Sequence, residues 1–295
     1  ALPDAVQQIR ADPVLDARSD LGTADDQCRV AAVAVDLQRS LGGRVLRPHD
    51  HHAPPAERVG LLVIVRDVGE VLARYADAIR LVEKARRQRH GARLVLPSTD
   101  FVFDGIPGPD GVLAPYGEDH PTNPLNVYGA SKLAGEEAAG AGATVARTTW
   151  LQSADGPGMV GRILAALEGD GPVELLGDRR ASPTFIVDLV PALLQLADER
   201  VPGVVHVVNE GAASWVEVGH LVAAEVGADL DRIVSITESD LSSPRPARRP
   251  AYSALDSAVL RRLGHLPLRH HRDAVAATVA RLSPARPGPG HESLD

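Results

Sequence analysis

The segment from residue 61 to residue 96 constrains the fold more than any other. Residues 61–65, LLVIV, form an unbroken apolar run, which reads as a strand buried on both faces. Residues 69–89 follow with apolar positions at Val71, Leu72, Tyr75, Ile79 and Val82. That spacing predicts a helix with one buried stripe, and Gly91 is placed to stop it. Residues 92–96, ARLVL, return as a strand. Strand, helix and strand in this order make a parallel crossover. A parallel sheet has to be covered by helices on both faces, so the chain is expected to be α/β.

The remaining chain extends the pattern. Strands are expected at 143–148, 173–176 and 203–208, and helices from near Asn126 and over 158–168, 186–198, 215–226 and 272–282. Ser214 and Glu217 have the spacing of a capping box at the start of 215–226. Residues 30–37, VAAVAVDL, suit a strand or part of a helix. Residues 104–125 read as a long Gly/Pro-rich loop, and 242–250, SSPRPARRP, are too proline-rich for a regular element. Aromatic residues make up only 3% of the chain, so its core has to be built from Leu, Val and Ala.

Several function classes are disfavoured. The formal net charge is −8, and the richest basic cluster, Arg245, Arg248 and Arg249, is short and broken by prolines. It reads as an anion clamp, and no nucleic-acid partner is expected. Cys28 is the single cysteine, which rules out an intrachain disulfide and a thiolate metal cluster. His49, His51 and His52 lie in a proline-rich loop with no carboxylate pattern beside them, so no metal site is expected. No apolar run is long enough for a bilayer and no Lys/Arg-led segment opens the chain, so a cytoplasmic location without a membrane partner is expected.

Chemistry concentrates around two blocks. Pro97-Ser98-Thr99-Asp100 stands just past the strand at 92–96, and ligand sites in open parallel sheets lie beyond the carboxyl ends of strands. Tyr128 and Lys132 are four residues apart, which puts both on one face of a helix. Hydride reduction of a ketone needs a proton donor for the developing alkoxide. A tyrosine of pKa near ~10 serves better with an ammonium beside it, which favours its ionised form. The lysine can also bond a ribose hydroxyl, and Thr99 can supply a second hydroxyl to the same carbonyl oxygen. Tyr and Lys at this spacing also occur on solvated helices, so the pair alone leaves both readings open.

The neighbouring blocks add to it. STDFVFDG at 98–105, PLNVYGASKLAGE at 124–136, ARTTW at 146–150, SPTFIVDL at 182–189 and RRPAYSALD at 248–256 stand in one order. Together they resemble the dTDP-4-dehydrorhamnose reductases of the extended short-chain dehydrogenase/reductase family, over roughly residues 90–285. The resemblance implies a Rossmann-like parallel sheet with a smaller C-terminal substrate-binding domain. Residues 1–150 would be the dinucleotide-binding-type domain. Residues 151–295 would be mainly substrate-binding, with some segments returning to the sheet. It implies reduction of the 4-keto group of a dTDP-linked 4-dehydro-deoxysugar with NADPH or NADH, and a homodimer, since relatives dimerise.

By motif position, Thr99 resembles the hydroxyl that polarises the carbonyl, Tyr128 the proton donor, and Lys132 the residue that tunes it and holds the nicotinamide ribose. Ser98 and Tyr128 fall with Lys132 on the cofactor side, while Ser98 and Asp100 shape the strand end rather than react. Substrate contacts are expected from Asp104, Asn126, Trp150, Arg248 and Arg249. The competing readings are a turn role for Asp104, a helix cap for Asn126, a core or rim place for Trp150 and a solvated surface for the arginines. Of Phe101 and Phe103, one points inward and the other lines the sugar pocket. Phe101 stands where the family commonly has tyrosine. Asp188 reads as structural.

The N-terminal third departs from this pattern. A dinucleotide fold opens on a strand and a glycine-rich turn that lets backbone approach pyrophosphate. No GxGxxG or GxxGxxG is present near the start, and Gly42-Gly43 has the wrong flanking spacing. ARSDLGTADD at 17–26 resembles the region after the family's second strand, and LLVIVRD stands where an Asn-Ala-Ala-type block is expected. Two accounts fit: a reductase whose N-terminus is truncated or divergent, or a scaffold with a binding or regulatory role, like the non-catalytic reductase-fold subunits found beside methionine adenosyltransferases. The intact Thr99, Tyr128 and Lys132 favour the enzyme.

Overall fold

The computed structural model describes residues 94–106, 113–153, 158–243, 245 and 247–283. The expected strand at 61–65, the helix at 69–89, Gly91, Gly42-Gly43, Cys28 and the histidine cluster lie outside the described residues. In chain order the elements are β1 (Val95–Thr99), α1 (Val127–Ala139), β2 (Thr144–Thr148), β3 (Leu151–Gln152), α2 (Met159–Leu167), β4 (Val173–Leu176), β5 (Thr184–Phe185), α3 (Ile186–Asp198), β6 (Gly203–His206), β7 (Asn209–Glu210), α4 (Trp215–Glu225), β8 (Ile233–Ile236), α5 (Ala258–Arg262), β9 (Leu268–His270) and α6 (His271–Leu282).

β1, β2 and β6 form a parallel sheet in that order, with Val95 opposite Thr144 and Thr144 opposite Gly203. Side chains alternate along each strand, and the two faces are covered by different helices. Leu94, Leu96 and Val145 pack with Ala139 of α1. Val95, Ala146 and Val205 pack with Leu189, Leu193 and Leu196 of α3. Parallel strands with a helix on each face make this an α/β, Rossmann-like fold, as expected. By the same alternation, Ser98 and Arg147 fall on the α1 face.

A second core joins α2, α4 and α6 to the parallel pair β4–β8, with Ile163, Phe185, Val218, Val222, Val275 and Val279 buried. A third, smaller cluster matters most for the site. Val102 and Phe103, just past β1, pack on Tyr252, Ala254 and Leu255. Tyr116 stitches this contact by backbone bonds, its N–H donating to Ala254 (2.8 Å) and its carbonyl accepting from Asp256 (2.8 Å).

Most of the expected elements appear within a residue or two. Ser214 and Glu217 form the capping box at the start of α4, and the described part of 242–250 carries no regular element. β1 differs in extent: it continues through Pro97 and Ser98 to Thr99, because pairing with β2 carries it past the proline. β3, β5, β7, β8, β9 and α5 have no counterpart in the sequence reading. Pairings of two to four residues leave little periodic signature and are set by tertiary contact. Among the described residues no helix is long and apolar enough to cross a membrane.

Candidate active site

The site is assembled where β1 ends and α1 begins. After Thr99 the chain makes one tight helical turn over Asp100–Val102, and the Thr99 hydroxyl caps it by accepting from the Phe101 N–H (3.2 Å). At the other entry, Asn126 caps α1: its side-chain oxygen accepts from the Gly129 N–H at 2.8 Å. The two turns rest on each other at Gly129. A Cβ there would lie 2.1 Å from the Phe101 carbonyl oxygen, so only glycine allows the contact. This approach brings Tyr128 over Thr99.

Thr99 is buried, and its hydroxyl donates to Asp100 Oδ1 at 3.1 Å. The Thr99 side chain acts on the Tyr128 phenol and favours its ionised form. Phe101 meets Tyr128 edge-on, ring centroids 5.8 Å apart, while Phe103 is fully buried. Burial pushes Tyr128 up to about 12, the Thr99 side chain opposes this and the charge of Asp100 adds to it. Since 39% of Tyr128 remains exposed, solvent screens part of that effect. The direction is opposite to the lowering expected from a neighbouring ammonium. The reason is visible at Lys132, whose Nζ donates to the Pro97 carbonyl at 3.5 Å and stands 5.9 Å from the Tyr128 ring centre. Lys132 is itself buried; desolvation lowers it to about 8, against the pull of Glu136.

Ser98 is buried with its hydroxyl donating to Glu136 on α1. Asp100 is 2% exposed, and desolvation raises its carboxyl from 3.8 to about 6 against the Ser253 hydroxyl, which donates to Oδ2 at 2.6 Å. Ser253 belongs to the 248–256 block, so this bond ties that segment to the end of β1.

The expected substrate residues are less uniform. Asp104 accepts from the Ile106 N–H (3.0 Å), the Tyr116 hydroxyl (3.3 Å) and Asn123 Nδ2 (2.9 Å), which makes its carboxylate the organiser of its own loop. Asn126 serves as the cap and also donates from Nδ2 to the Arg248 carbonyl at 2.8 Å. Arg248 is thereby held beside the start of α1 with its side chain exposed. The Arg249 carbonyl accepts from Arg179 at 2.7 Å, and Arg179 also bonds the Pro250 carbonyl and pairs with Glu238. Trp150 has a left-handed backbone, φ 43°, and its ring stacks on Trp215 at 4.1 Å and 9°. Asp188 accepts from Asn209 (2.8 Å) and Arg269 (2.9 Å), a structural role. No cluster suited to a metal ion occurs among the described residues.

Glu136, Arg147, Arg179, Trp215 and Ser253 were not singled out from the sequence. Only Glu136 carried a usable signal, standing eight residues after Tyr128 on the same helix face.

The chain is similar in sequence and fold to known proteins. A family profile described as "RmlD substrate binding domain" matches residues 75–283. A dTDP-4-dehydrorhamnose reductase of Mycobacterium tuberculosis is 42% identical over 197 residues, covering 65% of this chain and 64% of the relative's length. The chain thus spans just under two thirds of that curated relative. Among solved structures, a dTDP-4-dehydrorhamnose reductase of Clostridium acetobutylicum superposes with a TM-score of 0.63 at 27% identity, covering 73% of this chain and 77% of the other. One from Bacillus anthracis, solved in complex with NADP, gives 0.59 at 27% identity, covering 72% and 75%. Matched by the family profile over most of its length, the chain belongs to the RmlD substrate binding domain family.

Proposed function

We propose that the chain reduces the 4-keto group of a dTDP-linked 4-dehydro-deoxysugar, with NADPH or NADH as the reductant. The observation that carries this reading is the proximity of the Thr99 and Tyr128 side chains where β1 ends and α1 begins, with the buried Lys132 ammonium 5.9 Å from the Tyr128 ring centre. The names of the relatives and the NADP in the B. anthracis structure support it.

The donor set suits the nicotinamide end of such a cofactor: a buried ammonium to bond ribose hydroxyls, beside two hydroxyls for a carbonyl oxygen. Lys132 and Tyr128 would hold that end, and the bound cofactor supplies the hydride. The protein's own part is to bind the ketone oxygen through Thr99 and Tyr128 and to deliver a proton from the Tyr128 hydroxyl to the oxygen as it becomes an alkoxide. Burial keeps Tyr128 protonated at neutral pH, so the acid form is the resting form. The Lys132 charge then stabilises the phenolate left behind. Arg248 and Arg249 would pair with the substrate diphosphate, and Trp150 would offer an apolar wall to the sugar. We also propose the division into a dinucleotide-binding-type domain over 1–150 and a mainly substrate-binding part over 151–295.

The test is titration with NADPH and with NADH, followed by nicotinamide fluorescence. Binding of either, with Tyr128→Phe abolishing turnover of a dTDP-4-keto sugar and sparing cofactor affinity, is expected. Absence of binding at millimolar cofactor overturns the reading in favour of the scaffold.

A further inference from the structure

The buried polar group beneath the site is larger than the proposed chemistry requires. Glu136 follows Lys132 by four residues and Tyr128 by eight, so the three side chains rise along one face of α1 at about 6 Å per step. The Glu136 carboxylate is bound from β2 by Arg147, with Nε at 3.0 Å and Nη2 at 2.7 Å, and from β1 by the Ser98 hydroxyl. The side chains of Glu136 and Arg147 are each 5% exposed. Arg147 is further held with its guanidinium 5.2 Å over the Phe103 ring.

A buried ion pair of this kind is poor value as a staple. Desolvating two charges offsets most of their attraction, and an apolar pair of the same volume is commonly as stable. The arrangement does have a consequence for its neighbour. Glu136 is clamped by two strands, so its carboxylate stays at one height on α1, directly along the helix from Lys132. We propose that Glu136 is a positioning residue for Lys132: anchored by Arg147 and Ser98, it holds the lysine in its charged form at the height of Tyr128. This rests on the reductase reading, in which the ammonium must be present beneath the phenol.

Among the described residues, the titratable and charged groups near Lys132 come from three elements. Glu136 and Tyr128 lie on its own helix, Asp100 on the turn after β1, and Arg147 on β2. Desolvation drives Lys132 toward the neutral amine, and the Glu136 carboxylate opposes this. Arg147 binds the same carboxylate through Nε and Nη2. Removing the carboxylate charge takes away this opposition to desolvation, and Glu136→Gln alone also leaves the buried Arg147 charge in place, which a double variant removes.

The direct experiment is a pH titration of the Lys132 ammonium by 15N NMR in lysine-labelled protein, with its signal assigned through Lys132→Arg. Three proteins are compared: the wild type, Glu136→Gln, and the charge-balanced double variant Glu136→Gln with Arg147→Met. The double variant guards against misfolding caused by a stranded guanidinium. In both variants the Lys132 midpoint is expected to fall by about one pH unit or more. The alkaline limb of kcat/KM is expected to move down with it, while unfolding stability recovers in the double variant. If the double variant regains stability and Lys132 titrates as in the wild type, Glu136 is merely the partner of Arg147 and the proposal is overturned. The titration needs no turnover. A wild type that binds no cofactor defeats the reductase reading, and the NMR midpoints still decide whether Glu136 governs Lys132.

Discussion

Asp100 offers the sharpest test of the site's electrostatics. Its carboxyl is 2% exposed and shifted from 3.8 to about 6, mainly by desolvation, against the lowering effect of its hydroxyl partners. A group raised in the folded state contributes its full share of stability below the unfolded value and loses it as pH rises through the folded one. Between pH ~4 and ~6 the native protein therefore holds a proton that the unfolded chain has released, and stability falls by up to ~1.4 kcal/mol per pH unit. Over the whole shift this comes to about 3 kcal/mol, present as a deficit at every pH above ~6. Asp100→Asn removes the ionisation and keeps the shape. Its amide oxygen can still accept from Ser253 or Thr99, and fitting the amide's two N–H donors into a pocket built for a carboxyl costs about 1 kcal/mol. The variant is expected to be slightly less stable than the wild type near pH 4 and about 2 kcal/mol more stable at pH 7.5. Urea unfolding at half-unit pH steps measures both curves. A constant difference between wild type and variant across this range would refute the claim that Asp100 is a buried, desolvated acid.

Two further outcomes follow from the packing. Gly129→Ala should destabilise the protein by about 2 kcal/mol, despite alanine's better helix propensity, because the new Cβ meets the Phe101 carbonyl; a raised melting temperature would contradict the close approach. Trp150 and Trp215 are the two tryptophans in the chain and are stacked. Circular dichroism should show a coupled indole signal that Trp215→Phe abolishes at a cost of about 1 kcal/mol, and a sugar nucleotide engaging Trp150 should perturb it; a spectrum unchanged by Trp215→Phe would exclude the stack.

The chain's local chemistry was sufficient for a good deal of this. Apolar runs and helical stripes gave the α/β class, and the four-residue step from Tyr128 to Lys132 put both on one face of α1. The Ser214 capping box was legible because both its members lie within a single turn. What tertiary structure alone decided is where buried polar groups find partners. Ser98 reaches Glu136 across 38 residues, and Asp100 reaches Ser253 across 153. Nothing in the periodicity of either segment announces such pairs, since periodicity reports which face a residue occupies and not which strand or loop lies opposite. The same limit explains Tyr128. From the sequence its neighbour was a tuning ammonium, whereas the folded site partly desolvates the phenol beside Asp100 and turns Lys132 toward Pro97, so desolvation dominates. Residue types and spacing determined which groups could do the chemistry; the packing of β1, β2 and α1 determined the charge state in which they wait.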